Sequence, residues 1–66
     1  MGYDFTYGNF KVGDTVKVGP RGLLRVGQTG VITGPGKIFT VSRYDSWYVK
    51  FSNGESLFPA SELEHV

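Results

Sequence analysis

The clearest pattern along the chain is an alternation of apolar and polar residues in S-W-Y-V-K-F-S-N-G-E-S-L-F, residues 46–58. A period of two is typical of β-strands whose two faces meet different surroundings. The central dipeptide Asn53-Gly54 suits a two-residue type I′ turn, because both of its central positions need positive φ. The stretch therefore predicts a β-hairpin with its loop at 53–54, a register that would place Val49 opposite Phe58.

The same alternation divides the predicted hairpin into two faces. The inner set is wholly apolar and is predicted to form one wall of the core: Trp47, Val49, Phe51 and Phe58. The outer set mixes apolar and charged side chains: Tyr48, Lys50, Glu55 and Leu57. The rest of the chain must then supply the opposite wall of the core.

Shorter runs predict further strands, with glycine and proline between them. Residues 15–18 alternate, with Val16 and Val18 predicted to face the core, and Val31–Thr33 predicts the next strand. Residues 19–22 predict a loop that residues 23–26 either continue or follow as a short strand. Gly27–Gly30 predicts a tight corner, and Gly34-Pro35-Gly36 is the strongest predicted break.

The C-terminal residues predict the end of a small barrel. Pro59 ends the last long strand, and the residues after it suit a single 3₁₀ turn because they are too few for a stable helix. Leu63 is predicted to plug the open end, and residues 63–66 can add a short closing strand. Together these elements predict an all-β fold, a small barrel of five to six short antiparallel strands.

The first eleven residues differ from the rest because four aromatic residues lie among glycine, asparagine and aspartate. The favoured interpretation is an aromatic N-terminal arm, residues 1–11, that packs onto a barrel of residues 12–66 and covers an open edge. The alternative is an adhesive arm for a partner or for a second copy.

Composition argues against catalysis, metal and cofactor. The chain of 66 residues has no cysteine, and its single histidine, His65, lies one residue from the C-terminus. The six carboxylates do not cluster as metal ligands, and no base lies beside a candidate nucleophile. We also expect so small a domain to lack a ligand pocket of a few hundred Å³. The sequence therefore predicts no enzyme and no cofactor.

Four segments in this order resemble an SH3-like barrel over residues 12–66: V-G-D-T-V-K-V, G-Q-T-G-V-I, W-Y-V-K-F and L-F-P-A-S-E-L-E. The first two also resemble the KOW motif of ribosomal and transcription-elongation proteins, at Gly13, Asp14, Gly27 and Gly30. The C-terminal part is similar to photosystem I subunits of the PsaE type. Type II dihydrofolate reductases look similar too, but residues 55–59 keep neither the Gln nor the Tyr of their active-site strand. SH3-like barrels host many unrelated functions, so the resemblance concerns the fold. The likeness to KOW domains implies binding of RNA or single-stranded DNA.

Charge and aromatic residues indicate where binding would occur. The net charge is +1, yet five basic residues and no acid lie between Asp14 and Asp45. The predicted partner-binding surface combines basic, aromatic and apolar side chains: Arg21, Arg25, Arg43, Tyr44, Tyr48 and Leu57. Tyr and Arg are enriched at protein-binding hot spots, and +1 is low for a nucleic-acid binder.

We therefore expect a protein partner within a larger assembly, with nucleic acid as the alternative. A monomer is favoured over an oligomer. The sequence has no apolar run long enough for a membrane span, so no membrane partner and a cytoplasmic location are expected.

Overall fold

A computed structural model describes residues 10–66, so most of the predicted N-terminal arm lies outside the described residues. The described chain is all-β and antiparallel, which confirms the predicted fold class. Its elements, in chain order, are β1 (Thr15–Val18), β2 (Thr29–Gly36), β3 (Ser46–Phe51), β4 (Gly54–Pro59), a 3₁₀ turn (Ala60–Glu62) and β5 (Leu63–His65). The 3₁₀ turn and the short closing strand lie where the sequence predicts them.

The sheet has the strand order β4-β3-β2-β1-β5, so two strands that are consecutive in sequence form its two edges. In a flat sheet these edges would lie about 19 Å apart, four times the usual spacing between strands. The chain from Pro59 to Leu63 can span at most about 14 Å even when fully extended. The sheet must therefore curl until its edges approach, although β4 and β5 do not pair with each other.

The core fills the inside of this curled sheet. Its buried apolar residues come from every strand and from the segment before β1: Phe10, Val16, Val18, Ile32, Trp47, Val49, Phe51, Phe58 and Leu63. The predicted inner faces of β1 and of the hairpin are thereby confirmed. Phe51 and Phe58 meet edge to face, with ring centroids 5.8 Å apart, an arrangement that aromatic pairs prefer. Phe10 stacks on His65 at 4.4 Å and so packs against edge strand β5.

The hairpin forms, but its predicted register is wrong by two residues. Trp47 pairs with Phe58, and Phe51 pairs with Gly54, which leaves Ser52-Asn53 as the loop. Neither loop residue has positive φ, which excludes a type I′ turn. Gly54 instead follows the loop at φ 143°, a conformation that suits glycine. A shift of two residues keeps every side chain on its predicted face.

The predicted break at Gly34-Pro35-Gly36 is also wrong, because β2 continues through it to Gly36. A bulge between Ile32 and Gly34 shifts the register there, and Pro35 then pairs with Trp47. Bulges are places where a sheet accommodates glycine and proline. Residues 19–28, including 23–26, form the β1–β2 loop, and residues 37–45 form the β2–β3 loop.

Candidate functional site

A surface cleft of about 490 Å³ lies between the β2–β3 loop and the 3₁₀ turn. Its lining is Phe39, Thr40, Arg43, Asp45, Pro59, Ala60 and Ser61. The expectation that the domain lacks a pocket of this size is therefore wrong. A nine-residue loop beside the 3₁₀ turn forms this open cleft at the surface.

Asp45 holds the loop that forms one wall of the cleft. Its Oδ1 accepts hydrogen bonds from the Ile38 N–H and the Ser46 hydroxyl, both at 2.8 Å. Its Oδ2 accepts one from the Phe39 N–H, also at 2.8 Å. Asp45 is itself buried, so the loop backbone folds around this carboxylate. A fixed wall lowers the entropy cost of binding anything against it.

These hydrogen bonds set the charge state of Asp45. Burial by itself raises the pKa of this carboxyl, because it disfavours the charged form. The hydrogen bonds from the Ile38 N–H, the Ser46 hydroxyl and the Phe39 N–H act in the opposite direction and outweigh it. The pKa therefore lies below its ordinary value of 3.8, and Asp45 is ionised at neutral pH.

Acid should accordingly destabilise the protein partly through Asp45. Because the pKa is lower in the folded state than in the unfolded state, the contribution is complete above the unfolded value of 3.8. This contribution to stability is lost as the pH falls from the pKa of the unfolded state through the pKa of the folded state. Urea unfolding between about pH 7 and pH 2.5 should show this fall in wild type and a shallower one in Asp45→Asn. Parallel profiles for the two proteins would contradict the assignment.

Two predicted binding residues lie at the cleft. Arg43 lines it directly. Tyr44 is half-buried beside it, with the Lys37 ammonium 4.8 Å from the centre of its ring. At that distance the cation and the ring attract each other. The β2–β3 loop therefore combines an aromatic ring with two basic side chains, one from each of its ends.

Two more predicted residues lie on the outer face next to the cleft. Tyr48 and Leu57 are directly opposite each other on β3 and β4. Leu57 and Pro59 are two positions apart on β4, so they point to the same side about 7 Å apart. A Cβ at Gly36 would overlap Leu57 Cδ1 and lie 3.2 Å from Tyr48 Cε2, so both side chains lean over this glycine. Tyr48 remains 42% exposed.

Arg25 lies elsewhere and has a structural role. Its guanidinium sits 4.8 Å from the centre of the Phe51 ring, and Nη1 donates a hydrogen bond of 2.6 Å to Asn53 Oδ1. Tyr44 and Phe51 are seven residues apart along the chain, about 23 Å in an extended strand. Arg21 is an exposed residue of the same β1–β2 loop. The structure thus groups four of the six predicted residues and separates Arg25 from them.

Sequence reasoning missed the apolar part of the cleft. Phe39 is 76% exposed although it is a large aromatic residue, and Pro59 and Ala60 form the floor beside it. No alternation marks the path of a loop, so nothing indicated that Phe39 stands over the 3₁₀ turn. The local pattern carried no signal for this position, because the carboxylate that binds the Phe39 N–H belongs to Asp45, six residues later in the chain.

No protein-family model, curated protein or solved structure matches this chain. Within residues 10–66, no helix has the length and apolar character needed to cross a membrane. That same part of the chain contains no group of three or more histidine or carboxylate side chains able to hold a metal ion.

Proposed function

We propose that this chain is a non-catalytic, SH3-like interaction module that binds a protein partner within a larger assembly. The order of strands, loops and 3₁₀ turn supports the SH3-like assignment. The binding surface is the cleft together with Arg43, Tyr44, Tyr48 and Leu57 along its border. The observation that carries the proposal is the exposed Phe39 ring on a wall fixed by Asp45, facing an apolar floor.

The chemistry of this surface suits a protein segment. An apolar side chain seated between Phe39 and Pro59 would remove apolar surface from water on both sides, the main favourable term in association. Aromatic residues and arginine are enriched in the energetically important centres of protein interfaces. Because Asp45 fixes the Ile38 and Phe39 backbone, little ordering is needed on binding.

Phe39→Ala tests the surface directly. Immobilised wild-type protein should retain a partner from its native extract, and Phe39→Ala should reduce the retained amount about tenfold, the effect of losing roughly 1.4 kcal/mol at a hot spot. Leu23→Ala is the matched control, because Leu23 is 90% exposed on the β1–β2 loop, outside the cleft. Tyr48→Ala should fold normally and weaken retention less. Equal retention by wild type and Phe39→Ala would refute the proposal.

RNA or single-stranded DNA is the competing ligand that the KOW resemblance implies. Such binding needs basic side chains along a groove with rings for stacking, and it falls steeply with salt. Arg25 already contacts the Phe51 ring and hydrogen bonds to Asn53, so one of the cations expected to bind phosphate is engaged within the protein. Titration with a labelled single-stranded oligonucleotide at about 50 and about 200 mM salt separates the two functions. Salt-sensitive binding would favour nucleic acid over the proposed protein partner.

A further inference from the structure

Two glutamates, Glu62 at the end of the 3₁₀ turn and Glu64 on β5, are directed away from the cleft. Glu64 Oε1 lies 3.9 Å from Lys17 Nζ on β1, and its Oε2 approaches Gly19. Glu62 Oε1 points to Gly22, where a Cβ would lie 3.6 Å from it. Both carboxylates are thus directed toward β1 and the β1–β2 loop, and neither residue lines the cleft.

The β2–β3 loop beside the cleft carries two basic side chains. Arg43 lines it, and Lys37 is held on the same loop by donating a hydrogen bond of 3.2 Å to the Val41 carbonyl. The one carboxylate in the lining, Asp45, already accepts three hydrogen bonds from its own surroundings. With Asp45 ionised, Lys37 and Arg43 leave the β2–β3 loop with a net charge of +1, beside apolar lining residues such as Phe39 and Pro59.

We infer that the occupant of the cleft is an extended protein segment with a carboxylate next to an apolar side chain. The apolar side chain packs between Phe39, Pro59 and Ala60, and the carboxylate faces Arg43, with Lys37 adding to the attraction. This inference rests on the proposed function and names the class of partner. Charge complementarity of this kind contributes more to specificity and association rate than to affinity.

The size of the cleft favours a short extended segment over a folded surface. A volume of about 490 Å³ lies in the lower part of the range of small-ligand sites, so it holds a few consecutive side chains. A partner that needed a larger opening would have to displace the β2–β3 loop. Asp45 opposes that displacement, because it anchors the loop backbone at Ile38 and Phe39.

Three synthetic peptides of six residues test the inference. Each carries a central Leu-Phe pair, flanked on both sides by two Glu, two Gln or two Lys. The Glu peptide should shift the amide resonances of residues 37–45 and 59–61 and bind about threefold to fivefold more tightly than the Gln peptide, as expected for an exposed ion pair. The Lys peptide should bind most weakly. Raising the salt from about 50 to about 300 mM should narrow these differences.

Two variants test whether the preference for the Glu peptide over the Gln peptide arises at the cleft. Arg43→Gln should lose most of the preference for the Glu peptide, whereas the matched control Arg21→Gln should keep the wild-type preference, because Arg21 lies on the other loop. If the Gln peptide binds at these residues as tightly as the Glu peptide, the inference is overturned and the proposed function stands. If no peptide shifts the amide resonances of these residues, the inference is overturned. The amount of partner that Phe39→Ala retains from extract then tests the proposed function separately.

Discussion

Trp47→Ala is expected to lower the free energy of unfolding by about 3–5 kcal/mol, because it leaves a large cavity in the core. Trp47 is 1% exposed and lies on the inner face of β3, paired with Phe58 on one side and Pro35 on the other. A domain of this size has a total stability of about 3–10 kcal/mol. The loss is therefore about a third or more of the total stability, and a domain at the lower end of this range would unfold at 25 °C.

Urea unfolding followed by circular dichroism of the backbone measures this loss, since the variant has no tryptophan. Val41→Ala is the control, because Val41 is 91% exposed on the β2–β3 loop and should change stability by less than about 0.5 kcal/mol. A loss below about 1 kcal/mol for Trp47→Ala would mean that this ring does not support the core.

The inner and outer faces of the hairpin could be predicted from sequence because alternation survives any register shift of two residues. The register itself could not. Asn53-Gly54 is the stronger local signal for a two-residue loop, yet the structure has Ser52-Asn53 at that place. Arg25, from a loop 28 residues away, hydrogen bonds to Asn53 in this arrangement. That tertiary contact has no trace in the local pattern of the hairpin.

Some residues of the candidate site could likewise be predicted from sequence, and others could not. Arg43, Tyr44, Tyr48 and Leu57 were predictable because a strand determines the direction of its own side chains and the position of the residues next to its ends. Phe39 was not, because the course of a loop depends on its hydrogen bonds and not on periodicity. The carboxylate of Asp45 supplies those bonds, and it comes six residues after Phe39 in the chain.

Gly30 shows that the reason for a glycine can differ from the one its sequence suggests. The sequence predicts it as part of a tight corner, but it lies within β2, and its φ is not positive. A Cβ at this position would lie 2.7 Å from the carbonyl oxygen of Lys50 and 2.7 Å from Val49 Cγ1. Glycine is needed there because β3 passes too close for a side chain.

Gly30→Ala should consequently lower the free energy of unfolding by about 1–3 kcal/mol, the usual result of forcing an extra group into a packed region. The backbone oxygen of Lys50 cannot turn aside without disturbing the pairing of β2 with β3, unlike the end of a flexible side chain. Gly34→Ala is the matched control, because Gly34 lies on the same strand and a Cβ there meets nothing within 4 Å. Urea unfolding of both variants should separate them by about 1 kcal/mol or more. Equal stabilities would mean that β3 can move away from β2 at little cost, so that the close approach does not hold the sheet together.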